Sequence, residues 1–158
     1  MKCFVDTSAL YALVTPADGD HHNIVKLFEW LAFSEAALAS SNYVLLEAVS
    51  LIQKRHGFGP AKTMLERTLG ILDVHWIGEE EHRAANHLWT QAKSRTLSLV
   101  DCSSFATMRL LGIRHAITLD AHFSEAGFIA MSAPPSTGIA AEPRGTYRAK
   151  RIKLHSHA

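Results

Sequence analysis

Met1-Lys2-Cys3-Phe4-Val5-Asp6-Thr7-Ser8-Ala9-Leu10 opens the chain with an apolar run that stops on a carboxylate. Cys3, Phe4 and Val5 read as a buried strand, because a strand covered on both faces shows a continuous apolar run. Residues 7–14 read as a short helix that ends before the Pro16-Ala17-Asp18-Gly19 turn. Asp6, at the junction, has two readings. It suits the helix N-cap, where a carboxylate accepts from orphan N–H groups. It also stands at the carboxyl end of a strand, where open parallel sheets hold their ligands.

Working outward, strands and helices continue to alternate. Residues 21–34 carry Ile24, Leu27, Phe28 and Leu31 at helical spacing. Residues 37–39 read as a short strand, and Ser40, Ser41 or Asn42 caps a long helix to about residue 56. Gly57-Phe58-Gly59-Pro60 breaks that helix, and another follows over 61–72. Residues 74–77 are strand-like, 79–95 and 98–111 helical, 115–119 a strand and 128–131 the last strand. Glu79, Glu80 and Glu81 are explained by negative charge at a helix N-terminus. The pattern predicts an α/β fold: one domain over residues 1–132 with a short, mostly parallel central sheet flanked by helices.

Length allows one domain with a real core, and composition is that of an ordinary globular protein. Cys3 and Cys102 lie far apart with no CxxC pair, which argues against a zinc knuckle or disulfide framework and for a reducing compartment. The apolar residues after Lys2 mimic a secretory signal, but Asp6 interrupts them, so the expected location is cytoplasmic. Residues 133–158 form a Pro- and Gly-containing tail whose Arg144, Arg148, Lys150, Arg151 and Lys153 face one acid, Glu142. Poor order is expected there, and attraction to polyanions is the alternative use.

Three more acids stand in awkward places. Asp120 ends the apolar run before it as Asp6 does, and it too can cap a short helix. Glu47 has Tyr43, Val44 and Leu51 one turn away, so its carboxylate needs a cation or an ion-pair partner against several kcal/mol of desolvation. Asp101 sits three residues after Ser98, the spacing of a capping box, in a helical first turn that favours its ionised form. If the topology is as predicted, the four acids meet on one face of the sheet. Clustered carboxylates raise one another's pKa unless a cation neutralises them, and an all-oxygen site suits Mg²⁺ or Mn²⁺ better than zinc.

Val5-Asp6-Thr7-Ser8-Ala9-Leu10, Ser41-Asn42-Tyr43-Val44-Leu45-Leu46-Glu47-Ala48-Val49-Ser50, the helix around Asp101 and Ala116-Ile117-Thr118-Leu119-Asp120-Ala121-His122-Phe123 together resemble the four acidic motifs of PIN-domain ribonucleases, especially bacterial VapC-type toxins. They occur in the family's order over residues 1–131. The resemblance implies that Asp6, Glu47, Asp101 and Asp120 bind the metal, with Thr7 and Ser103 as helpers beside them. It implies hydrolysis of RNA to a 5′-phosphate and a 3′-hydroxyl, a cognate antitoxin that blocks the site, and a homodimer. The basic tail lies outside it.

Mg²⁺ or Mn²⁺ held by these acids can activate water and neutralise phosphodiester charge, so no histidine is required as a base. Lys54, Arg55, Arg95, Arg109 and Arg114 are the candidate RNA contacts. His82 and His87 are five apart, off a common helical face, and His122 is assigned a turn or packing role. Trp30, Trp76 and Trp89 are expected in the core. Two rival readings use the same residues: a housekeeping PIN nuclease in RNA processing, and a non-catalytic module that grips a cation or a basic partner.

Overall fold

The computed structural model describes residues 1–136; the basic residues of the tail and its expected lack of order lie outside the described residues. The elements run β1 (Lys2–Val5), α1 (Thr7–Val14), α2 (His21–Phe33), β2 (Ala37–Ser41), α3 (Asn42–His56), α4 (Phe58–Leu69), β3 (Asp73–His75), α5 (Glu79–Ala92), α6 (Leu99–Leu110), β4 (His115–Ile117), α7 (Ala121–Glu125) and β5 (Ile129–Met131). The strands form one sheet in the order β3-β2-β1-β4-β5. All four pairings are parallel, so the sheet is more uniform than "mostly parallel".

β1 is central, and its Cys3, Phe4 and Val5 are wholly buried, as the apolar run requires. Right-handed crossovers in this order put α1 to α4 on one face and α5 to α7 on the other. The packing agrees: α1 packs on α2 and α3, and α3 on α4, while α5 packs on α6 and α6 on α7. The chain winds from β1 toward β3, then crosses back to β4 and β5. The strand order therefore reverses between β1 and β4, and the crevice at their carboxyl ends is where such sheets bind ligands.

Several expectations need correction. α4 begins at Phe58, not at residue 61, because Pro60 falls in the first turn, where its missing N–H is an orphan anyway. The break is made by Gly57 alone, whose φ of 91° and ψ of 178° are open only to glycine. α5 stops at Ala92 because Lys93 turns left-handed, which leaves Arg95 in a loop. β3 is confined to three residues, and Trp76 beyond it is 74 % exposed. Trp89 is also exposed, on the outer side of α5, while Trp30 packs on the core. Cys3 and Cys102 are buried free thiols. Among the described residues no helix is long and apolar enough to cross a membrane.

Candidate metal centre

Three of the acids are delivered by a strand end or a helix start, and Glu47 by the second turn of α3. Asp6 leaves β1 in extended conformation and caps α1, with Ser8 N–H donating to its Oδ2 at 3.2 Å and the Ser8 hydroxyl at 2.7 Å. The Thr118 hydroxyl, from the end of β4, donates to the same oxygen at 3.1 Å. Leu119 N–H in turn donates to Ser8 Oγ at 2.9 Å, which ties the two strand ends together across the crevice. Asp101 closes the predicted capping box: its N–H donates to Ser98 Oγ at 3.0 Å, and Ser98 N–H donates back to Asp101 Oδ2 at 2.7 Å. Glu47 projects from α3 and accepts the Thr7 hydroxyl on Oε2 at 2.6 Å. Asp120 caps α7, its Oδ1 accepting from His122 N–H at 2.9 Å and meeting His122 Nδ1 at 2.7 Å.

The helices under Asp101 and Asp120 are locked by aromatic packing. Phe105 of α6 meets Phe123 of α7 edge to face at 5.0 Å, and Phe128 lies against both. Such pairs bury large area in a defined geometry.

Asp6, Glu47, Asp101 and Asp120 line one cleft of about 340 Å³, together with Thr7, Ser8, Leu51 and Ser98. Asp6 is 3 % and Asp101 8 % exposed. Burial pushes the Asp6 carboxyl above the usual aspartate range and the charge of Asp101 adds to this, while the Ser8 hydrogen bonds pull the other way. The hydrogen bonds fall on one oxygen of each carboxylate: Oδ2 of Asp6, Oε2 of Glu47, Oδ2 of Asp101 and Oδ1 of Asp120. Each group is thus oriented through one oxygen, and the second accepts no protein hydrogen bond among the described residues. Among the described residues, the set that offers ligand atoms within 4.8 Å of one another is Asp101, Asp120 and His122, and Asp6 and Glu47 line the same cleft outside that set. A hard divalent cation fits this donor set, which is rich in carboxylate oxygen and partly desolvated.

Of the proposed helpers, Thr7 reaches the cleft, but Ser103 does not. Its buried hydroxyl donates back to Val100 O at 2.7 Å, inside the helix. Ser8, Ser98 and Thr118 do the orienting work instead. His122 was assigned a turn or packing role, yet its ring bridges Asp120 and the Thr96 hydroxyl, the latter at 3.0 Å. The signal was its position two residues beyond Asp120, where a cap reaches back.

None of the five candidate cations lines the cleft itself. Arg114 precedes β4, at the amino end, and Arg109 lies in the last turn of α6, on the Phe128 ring and donating to Ala126 O. Arg95 adjoins Thr96, which touches His122, and Lys54 and Arg55 lie in the last turn of α3.

Comparison with known proteins gives a consistent picture. A family model described as the PIN domain matches residues 3–129. The 23S rRNA-specific endonuclease VapC20 of Mycobacterium tuberculosis is 33 % identical over 128 residues, spanning 80 % of this chain and 95 % of that protein. The crystal structure of Mycobacterium tuberculosis VapC20, described as a sarcin-ricin loop cleaving toxin, is similar with a TM-score of 0.71 and 31 % identity over 80 % of this chain and 96 % of that one. VapBC2 from Rickettsia felis, bound to a promoter DNA fragment, shares the fold at a TM-score of 0.64 and 16 % identity, covering 83 % of this chain and 98 % of that one. With its strand ends, its acids and most of its length inside that match, the chain belongs to the PIN domain family.

Proposed function

We propose that this chain is a divalent-cation-dependent endoribonuclease, the toxin of a type II toxin–antitoxin pair, with RNA of the large ribosomal subunit as its substrate. The observation that carries the reading is the cleft where the strand order reverses, into which four separate elements bring Asp6, Glu47, Asp101 and Asp120. The substrate class follows from likeness to a 23S rRNA-specific endonuclease over most of both chains.

Asp6 and Asp101 would hold the principal Mg²⁺, or Mn²⁺ in its place, with Glu47 and Asp120 beside them in the cleft. When bound, such a cation supplies positive charge against the phosphodiester and acidifies a water for attack. The chain's own residues do the positioning. Ser8 and Thr118 fix Asp6, Ser98 fixes Asp101, Thr7 fixes Glu47 and His122 fixes Asp120. Hydrogen bonds of this kind hold a ligand's free oxygen in one direction, which preorganises the site. A cognate antitoxin that covers the cleft and a homodimeric state complete the proposal.

The test uses purified protein freed of any copurified inhibitor, incubated with ribosomes and with total RNA in Mg²⁺ or Mn²⁺. Expected is discrete cleavage of large-subunit RNA that a chelator abolishes and Asp101→Asn lacks. Equal cleavage by the Asp101→Asn protein overturns the assignment. Growth arrest on induction, relieved by a small protein encoded beside this gene, tests the toxin role.

A further inference from the structure

RNA carries a phosphate on every nucleotide, and a cleft of four carboxylates repels those next to the one being cut. Cations near the cleft have to offset this. Arg114 precedes β4, and Arg109 lies on the Phe128 ring and donates to Ala126 O, whereas Arg55 follows Leu51, a residue of the cleft wall, by one helical turn. α1 and α3 pack side by side, and two rows of residues lead away from the cleft, Thr7 and Tyr11 on α1 and Glu47, Leu51 and Arg55 on α3, each one turn apart.

Thr7 bonds Glu47 at the cleft, and Leu51 forms part of its wall. One turn further, the Arg55 guanidinium carbon stands 5.2 Å from the Tyr11 ring centroid, within cation–π range. The Tyr11 hydroxyl meets His56 Nε2 at 3.0 Å, the two rings 5.6 Å apart and tilted by 32°. At the helical rise, the eight residues from Glu47 to Arg55 span about 12 Å. Arg55 and His56 are exposed, and no carboxylate pairs with Arg55 among the described residues. The helix dipole explains cations in the last turn of α3, Lys54 included. It does not explain why one of them lies over a tyrosine whose hydroxyl holds the neighbouring imidazole.

We propose that Tyr11, Arg55 and His56 form a phosphate subsite that holds the RNA backbone beside the nucleotide being cut. This rests on the ribonuclease reading above. Tyr11 is the positioning residue. Its ring face carries the guanidinium and leaves the N–H edge for the two-pronged contact that arginine makes with phosphate.

The test measures cleavage of purified bacterial 23S ribosomal RNA by the full chain, and the salt dependence of binding to the same RNA in an Asp101→Asn background. Arg55→Ala is expected to raise KM by about tenfold while kcat moves by less than about twofold, the size of one lost hydrogen bond to a charged group. The slope of log affinity against log salt should fall by about 0.7 for one lost single-strand phosphate contact. Arg55→Lys should restore the slope but not the full affinity, and Tyr11→Phe should weaken binding less than Tyr11→Ala, all with unchanged melting temperature. If the wild type cleaves and binds the RNA but Arg55→Ala changes neither KM nor slope, the subsite is overturned and the ribonuclease reading stands. A wild type that neither binds nor cleaves overturns both. Intact RNA binding with lost inhibition by a protein partner assigns the patch to that partner and overturns the subsite.

Discussion

At the scale of single residues, the acids differ in what else they do. Asp101 is both cap and cleft acid, and the two roles separate by substitution. Asn at 101 keeps an oxygen for the Ser98 N–H and removes the charge, so Asp101→Asn should lose cleavage while keeping its melting temperature. Asp101→Ala loses the cap as well and should cost about 1 kcal/mol more, read by denaturant titration. Asp6 carries the opposite tension. Its folded-state pKa is raised, so the folded chain holds the proton more tightly than the unfolded one. The stability this contributes is fully present below the unfolded-chain value of about 3.9 and is lost as pH rises through the folded value. At neutral pH without divalent cations, Asp6→Asn should therefore melt higher than the wild type. Adding Mg²⁺ should raise the wild-type melting temperature more than that of Asp6→Asn; equal shifts would place the cation elsewhere.

At the scale of elements, what was legible followed chemistry that is local in the chain. α1 and α6 were readable to within a residue because Asp6 and Ser98 with Asp101 announce their starts. The start of α4 was not, because Gly-Phe-Gly-Pro reads as a loop although glycine caps and first-turn proline allow a helix. Gly57→Ala tests this boundary: at a φ of 91° and ψ of 178° it should cost about 1–3 kcal/mol in denaturant titration, with cleavage retained below the melting range. Trp76 and Trp89 were misread because helical or strand spacing shows which residues share a face but not which face is covered. The acidic start of α5 is more specific than its charge suggested. Burial pushes the Glu81 carboxyl up, but the Gly78 N–H and the His75 ring outweigh it and hold it below the usual range. Its contribution is present above the ordinary glutamate value of about 4.3 and is lost as pH falls through its folded value. Glu81→Gln should flatten the acid side of the stability–pH curve, and an unchanged curve would remove that role.

At the scale of the whole molecule, the site exists only through sheet topology. Asp6 and Asp120 could be seen to end two apolar runs, but only the parallel pairing of β1 with β4 sets Thr118 on Asp6 and Leu119 on Ser8. Contacts between residues more than a hundred positions apart leave no local trace, so nothing local in the chain marks Ser8 and Thr118, while Ser103, two residues after Asp101, donates to Val100 O inside its own helix. The cations were hard to rank for the same reason: Arg114 is near Asp120 in the chain but precedes β4, at the other end of that strand.

Calorimetric titration of Mn²⁺ into the 158-residue chain and into Asp6→Asn, Glu47→Gln, Asp101→Asn and Asp120→Asn bears most directly on the convergence of the four acids on one cation. Expected is binding by the wild type that each substitution weakens, most at Asp6 and Asp101. Binding unchanged by both Asp6→Asn and Asp101→Asn, or no binding by the wild type, contradicts a shared metal centre.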